Sequence, residues 1–338
     1  MKRFFAVTTL LIALSPVLNV PVALADDVNS NTSTPVIETT NEALEQAPAM
    51  PSYKDIPDEN KYFESVRNIT KLGFMKGDST NNFRINSFVT RDDVIYAIAK
   101  AANLKPNNVN TQIFRDIRKN NPAFKEITAA SEDDLLDAFV VKKNMFSPKA
   151  KVTVAQALDA LYKAFDADEF SGEVELRYEL KTELPDNWDF TTDVRRAVKD
   201  NVLFQKADGT LYLDPTKNIT RGDFASLLYR FTESRKEGIG FGLASWYGDG
   251  LSKVKVTGDR AKELSAKHLT AANRDLPMGT ILKVTNQYNG KSVEVAVNDR
   301  GPYVAGRVVD LSRSAFAAIE DVGTGTAVVK IEVIQKTE

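Results

Sequence analysis

The chain of 338 residues is long enough for two or more domains with cores of their own, and its hydrophobic fraction of 43% is ordinary for a globular protein. It has no cysteine, which excludes disulfides and thiol chemistry and leaves packing to hold every fold, while one histidine without cysteines argues against a zinc site. The formal charge of −2 is dispersed rather than gathered into a basic stripe, so nucleic acid is an unsuitable partner and a neutral or weakly charged polymer a natural one.

Lys2 and Arg3 precede an apolar run from Phe4 to Val20, and Ala23-Leu24-Ala25 puts small residues before Asp26. This is the three-part pattern of a secretory signal peptide over 1–25, in a run interrupted by Pro16 and Pro21 and too short for a bilayer span. The expected mature chain begins at Asp26, is exported and keeps no transmembrane segment. Residues 26–52, rich in Asn, Ser, Thr, Pro and Glu without a periodic apolar face, read as a disordered spacer.

A repeat follows. Val89-Thr90-Arg91-Asp92-Asp93, Val152-Thr153-Val154-Ala155-Gln156 and Ile219-Thr220-Arg221-Gly222-Asp223 each open an amphipathic helix, with starts 63 and 67 residues apart. Thr90, Thr153 and Thr220 are placed to cap these helices, and Asp93, Gln156 and Asp223, three residues on, to cap back. Apolar residues then recur at helical spacing: Val94, Ala97, Ile98, Ala101; Ala157, Ala160, Leu161, Ala164; Phe224, Leu227, Leu228, Phe231. An earlier helix precedes each, clearest in Val66, Ile69 and Leu72 before Gly73, so each unit is helix, loop, helix.

With Tyr53-Lys54-Asp55-Ile56-Pro57 and Phe114-Arg115-Asp116-Ile117 as openings, the units at 53–104, 113–166 and 183–236 resemble S-layer homology (SLH) repeats, the second divergent in carrying Val154 where the family has Arg. The resemblance implies a three-part helical prong that binds acidic, often pyruvylated, cell-wall polysaccharide. Arg91 and Arg221 fall in first helical turns, where unpaired N–H groups and the helix dipole favour an anion. Either they bind such a polymer or they pair with a neighbouring Asp. The acidic stretch 167–182 reads as a connector, and Trp188 after it as a sugar-stacking face or a packing residue.

The polar, then glycine-rich stretch from Ser234 to Gly242 marks a boundary near residues 238–242, with a C-terminal domain over 240–338. Beyond it come short β-branched runs, Thr280 to Thr285, Ser292 to Val297, Arg307 to Leu311 and Ala327 to Ile334, with an Asn289-Gly290 hairpin turn and one helix, Arg313 to Ile319. A small closed or nearly closed barrel follows. The fold class is therefore multidomain, a helical triplet followed by a small all-β barrel.

Between two of those runs Asn298-Asp299-Arg300-Gly301-Pro302 sets an acid in a turn shaped by glycine and proline, where a side chain is free to face a groove. Together with Ala244-Ser245-Trp246-Tyr247-Gly248, Leu269-Thr270-Ala271-Ala272, Leu276-Pro277-Met278-Gly279-Thr280 and Gly306-Arg307-Val308-Val309-Asp310-Leu311-Ser312, this region resembles the rare lipoprotein A (RlpA) family of septal lytic transglycosylases. The resemblance implies a six-stranded double-psi β-barrel that cleaves peptidoglycan between its two sugars without water.

Such cleavage needs one protonated carboxyl at the leaving oxygen, after which the sugar's own 6-hydroxyl attacks. Asp299 is the candidate acid, by position and by resemblance; alternatively it caps its own turn. Asp310 is expected to be structural. The family adds a glutamate after an upstream glycine and a histidine after Leu-Thr-Ala-Ala. Here Gly258 is followed by Asp259, with Glu263 as a substitute if the lengthened loop bulges, and the histidine position is Asn273, which can orient a group but not transfer a proton. His268 reads as a surface residue. Trp246 and Tyr247 are either sugar-stacking or core, and Arg300 is a candidate contact for the glycan's lactyl carboxyls.

The expectation is an exported, envelope-located peptidoglycan lytic transglycosylase with no cofactor or metal, tethered by SLH repeats and not lipid-anchored, for want of a cysteine. A non-catalytic, expansin-like glycan-binding or wall-loosening module is the alternative, and a structural linker that docks a protein partner a third.

Overall fold

A computed structural model describes residues 52–108, 112–132, 135–139, 144–165, 180–185, 189–205, 210–250, 254–304 and 306–336. The expected signal peptide, nearly all of the spacer, most of the connector and Trp188 lie outside them. Among the described residues no helix is long and apolar enough to cross a membrane.

Six helices form three pairs: α1 (Phe63–Lys71) and α2 (Arg91–Ala101), α3 (Phe124–Glu132) and α4 (Val154–Phe165), α5 (Thr191–Lys199) and α6 (Arg221–Glu233). The faces read from the sequence are buried, with Val94, Ala97, Ile98, Leu161, Phe224, Leu227, Leu228 and Phe231 inaccessible to solvent. Each such large apolar side chain contributes about 1.5–3 kcal/mol by leaving water. Leu72, counted on the apolar face of α1, instead sits exposed at its C-terminal end.

The pairs close on one another as a ring. α1 packs on α6, α2 on α3 and α4 on α5. Inside, three extended segments bridge in a cycle, Phe88 to Thr220, Thr90 to Lys151 and Thr153 to Asn218. The first two amides of each second helix are taken by carbonyls of the next pair: Arg91 and Asp92 donate to Ala150 and Pro148, Val154 and Ala155 to Lys217 and Pro215, Arg221 and Gly222 to Ser87 and Ile85. Side-chain capping completes only part of this. Thr153 and Gln156 form the full reciprocal box at 3.2 and 3.0 Å. Thr220 accepts from the Asp223 amide at 3.1 Å, but Thr90 makes no cap bond and donates to Asp92 instead.

The C-terminal strands are β1 (Ile239–Tyr247), β2 (Thr270–Ala272), β3 (Ile281–Asn286), β4 (Ser292–Asp299), β5 (Arg307–Ser312) and β6 (Ala327–Gln335), joined by α7 (Asp259–Ala266) and α8 (Arg313–Ile319). They close in the order β1-β5-β2-β4-β3-β6, with β1–β5 and β2–β4 parallel and the rest antiparallel. Closure leaves no strand edge to pair with another chain. Leu282, Val284, Val295, Val297, Val309 and Leu311 fill the interior with Phe316 and Ile319 of α8, while α7 covers the outer wall through Ala261 and Leu264 against Ile281 and Ala296. The six-stranded barrel agrees with the double-psi expectation.

The glycine-rich stretch read as a boundary also opens the first strand, from Ile239. A Cβ at Gly242 would lie 2.3 Å from Val308 Cγ1, so glycine there lets β1 approach β5. The two parts pack directly on each other. Phe241 of β1 and Val328 of β6 are buried in the helical core, and the Phe241 ring meets Tyr229 edge-on at 5.9 Å. Beside them Lys330, 5% exposed, lies 2.9 Å from the Tyr229 hydroxyl and 3.1, 3.5 and 4.0 Å from the carboxylates of Glu332, Glu64 and Glu233.

Candidate functional site

The short strand β2 organises the site. Its last residue, Ala272, pairs with Asp299 of β4 on one side and Asp310 of β5 on the other. Strands stand about 4.8 Å apart, so the two acids arise about 10 Å from each other across one alanine. Gly301 carries the turn past them at φ +138°, a value that favours glycine, and a Cβ added there would lie 3.7 Å from both Ala272 Cβ and Asp310 Oδ2.

Asp299, expected in a turn, is the last residue of β4 and half-buried. Its Oδ1 accepts from the Arg300 amide at 2.7 Å, the self-capping alternative in part, while Oδ2 has no hydrogen-bond partner among the described residues. Asp310 accepts a short hydrogen bond from Ser245, whose hydroxyl also accepts from Arg307 at 3.0 Å. The Tyr247 hydroxyl lies 2.9 Å from Thr270 Oγ1 and 3.4 Å from Asn298 Oδ1. Burial pushes its pKa up, and the charges of Asp299, Asp310 and Asp249 add to the rise. Tyr247 therefore keeps its proton at neutral pH and is a buttress beside the acids rather than an exposed stacking face. Trp246, 36% exposed, donates from its indole N–H to the Val322 carbonyl at 3.0 Å.

Other expected site residues have different occupations. Asn273 is buried: its amide donates to the Val308 carbonyl at 3.0 Å and its Oδ1 accepts from the Asp275 and Leu276 amides at 3.0 and 2.9 Å. It fixes the loop after β2, and its own N–H reaches the Asp299 carbonyl at 3.1 Å, not the carboxylate. Arg300 ties the same loop down by donating to the Asn273 and Leu276 carbonyls at 3.1 and 2.8 Å.

Asp259 opens α7 fully exposed, 3.8 Å from Lys262. Glu263, on that helix, is held at 2.7 Å by both Arg260 and Lys267, and charge pairing lowers its pKa. The lengthened segment forms a helix on the outer wall and not a bulge, so no contact joins either acid to Asp299. His268 is exposed.

In the helical part, Arg221 donates to the Phe83 and Lys76 carbonyls at 2.9 and 2.7 Å and pairs with Asp93 at 3.1 Å. Arg91 donates to the Phe146 carbonyl at 2.8 Å and lies over the Phe139 ring. The amides expected to be open beside them are bonded across the ring, so both arginines join neighbouring helix pairs where an anion site was anticipated.

Two residues beside the site were not read as functional from sequence. Asp310 was expected to be structural, as a residue on a strand whose apolar side chains face inward, and the register across β2 brings it level with Asp299. Tyr303, 75% exposed just past Pro302, was legible as an aromatic at the end of the Asp299 block.

Residues 240–331 match the family model described as lytic transglycolase, and residues 52–95 match that of the S-layer homology domain. The endolytic peptidoglycan transglycosylase RlpA of Campylobacter jejuni is 50% identical over 93 residues, 28% of this chain and 33% of that protein. A probable endolytic peptidoglycan transglycosylase RlpA of Nostoc is 46% identical over 96 residues, 28% of this chain and 25% of that one. The matched region thus spans a third or less of these relatives. An expansin structure from Clavibacter michiganensis covers 30% of this chain and 52% of its own at 21% identity and a TM-score of 0.24. The barrel is therefore similar to the RlpA-type lytic transglycolase domain, and the first helical repeat to the S-layer homology domain.

Proposed function

We propose that the barrel is a peptidoglycan lytic transglycosylase that cleaves the bond from N-acetylmuramic acid to N-acetylglucosamine. The Asp299 carboxyl gives its proton to the bridging oxygen as the bond to the anomeric carbon breaks. The resulting carboxylate takes the proton of the 6-hydroxyl as that oxygen closes on the same carbon, giving a 1,6-anhydro end and regenerating the acid without water. Asp310, across Ala272, faces the developing positive charge, and Trp246 and Tyr303 offer faces for flanking sugars. The helical ring is read as an SLH-type triplet that tethers the enzyme to acidic wall polysaccharide in the cell envelope. The observation that carries this reading is the unpartnered Asp299 Oδ2, in a block similar to that of the RlpA proteins.

Purified peptidoglycan incubated with the full chain should yield 1,6-anhydromuramyl ends by mass spectrometry, and Asp299→Asn should yield none. Absence of such ends from intact and peptide-stripped glycan, with binding retained in a pull-down, would establish the second reading, a non-catalytic glycan-binding module. That reading draws on Asn273, which stands where the family's histidine is expected and whose side chain is spent on loop backbone.

A further inference from the structure

The barrel sets a second carboxylate beside the acid and orients it with care. Asp310 is half-buried, and a relay of polar groups holds one of its oxygens: Arg307 Nη1 donates to Ser245 Oγ at 3.0 Å, and that hydroxyl donates to Asp310 Oδ1. Ser245 is buried, so the relay runs beneath the surface. The other oxygen, Oδ2, has no hydrogen-bond partner among the described residues and lies 3.7 Å from where a Cβ on Gly301 would stand. Asp310 thus has one oxygen fixed and one available, as Asp299 has.

Small groups floor the slot between the two acids. Ala272, paired with both, contributes a methyl group, and Gly301 contributes a hydrogen. The side chain of Asn273, the next residue, is spent on the loop backbone and does not fill the gap. Tyr303 and Val304, past Pro302, stand 75% and 39% exposed rather than folding over it. Water therefore has both room and access.

The separation decides which chemistry fits. In enzymes that break glycosidic bonds, carboxyls about 5 Å apart let the second one attack the sugar directly, whereas carboxyls about 6.5–9.5 Å apart leave space for a water between them. Asp299 and Asp310 rise two strand spacings apart, about 10 Å at the backbone, which puts them in the wider class.

We propose that the barrel also hydrolyses the bond it cleaves by transglycosylation, with Asp310 as the base for a water that competes with the 6-hydroxyl. This rests on the acid role given to Asp299 above. Asp299 gives its proton to the bridging oxygen as the bond to the anomeric carbon breaks. The water oxygen bonds to that carbon from the opposite face while Asp310 Oδ2 takes one of its protons, and the proton on Asp310 returns to Asp299 through solvent. The products are a free 4-hydroxyl on N-acetylglucosamine and a reducing muramyl end in the α configuration, inverted from the β bond. Ser245 and Arg307 are positioning residues for this branch.

The test uses the full chain on peptidoglycan whose existing reducing ends have been converted to alditols with borohydride, so that every new reducing end reports hydrolysis. Mass spectrometry should find both anhydromuramyl and new reducing muramyl ends, and Asp299→Asn should yield neither. Asp310→Asn should lower the ratio of reducing to anhydro ends about a hundredfold, the lower range of what a general base contributes. Ser245→Ala should lower it several-fold, with Ser245→Thr restoring it, which keeps the test decisive if Asp310→Asn does not fold. The ratio is taken within one sample, so it does not depend on how much of a variant is folded. Anhydro ends without new reducing ends overturn this inference and leave the acid role of Asp299 standing, and an unchanged ratio in Asp310→Asn or Ser245→Ala also overturns it. Reducing ends alone uphold the hydrolysis and overturn the transglycosylase reading, whereas neither kind of end from the parent chain overturns both.

Discussion

Replacing Lys330 by methionine should unlock the helical ring from the barrel. The substitution keeps the length of the stem but deletes the cation shared by Glu332, Glu64 and Glu233, at 3.1, 3.5 and 4.0 Å. Glu64 retains the Tyr229 hydroxyl and the Gln287 amide, at 2.7 and 3.1 Å, and Glu233 retains Lys236. The loss is therefore smaller than for a wholly abandoned buried charge, for which 3–5 kcal/mol is usual, and about 3 kcal/mol is expected. In a body of this size that lowers the thermal midpoint by about 6 °C or more. Calorimetry at pH 7 reads the shift, and adding Glu233→Gln to Lys330→Met should return part of it, because one stranded charge is then gone. A change within about 0.5 kcal/mol, the range of ordinary surface substitutions, would refute the view that this lysine holds the junction.

Asp193 of α5 and Asp159 of α4 form a second test. Burial and the charge of Asp159 raise the Asp193 pKa to about 6, and burial likewise raises that of Asp159, with Lys163 at 3.3 Å and Arg196 only partly offsetting this. The folded chain then holds a proton that the unfolded chain has lost, so stability should fall as the pH rises from about 4 to about 6 and level off above. After discounting for partial exposure, Asp193→Asn should add roughly 1–2 kcal/mol at pH 7 and flatten that slope in denaturant titrations across pH. Among the helix caps, Thr153→Ala should cost about 1 kcal/mol through its reciprocal box in urea unfolding.

Much of the fold was legible because its periodicities are local. The core faces of α2, α4 and α6, the span of α8 and strands β3 to β6 were read from apolar spacing to within a residue or two, apart from the last two residues of β4. What escaped was set by contacts distant in sequence. β1 looked like a glycine-rich boundary because its small residues answer to Val308 on β5. β2 has only three residues, too few to show a period, and α7 hid in a segment judged only by its excess length. At the site, Asp299 was visible as an acid in a shaped turn. The partnership with Asp310 and the occupied state of Asn273 depend on strand register and loop backbone, which no spacing rule reveals. Arg91 and Arg221 were read either as anion donors at free helix ends or as partners of a neighbouring Asp, and the carbonyls that fill those ends come from residues about 60 positions downstream or 130 upstream.

The ring of carbonyl-to-amide bonds among the three helix pairs also governs how such a unit is able to change in number. In an open solenoid every repeat contacts only its neighbours, so copies are gained or lost at an end for the cost of one interface. Here Arg221 and Gly222 of the last pair reach back to Ser87 and Ile85 of the first, so there is no end at which to add. Deleting one pair would strand two amides and two carbonyls, and inserting a fourth would require every crossing angle to change at once. The stoichiometry of the ring is therefore fixed at three, and variation is confined to side chains and to the loops between the helices. The divergence at Val154 is of that kind: it removes a side chain that Arg91 and Arg221 use to grip the next pair, while the backbone bonds of Val154 and Ala155 hold the ring closed.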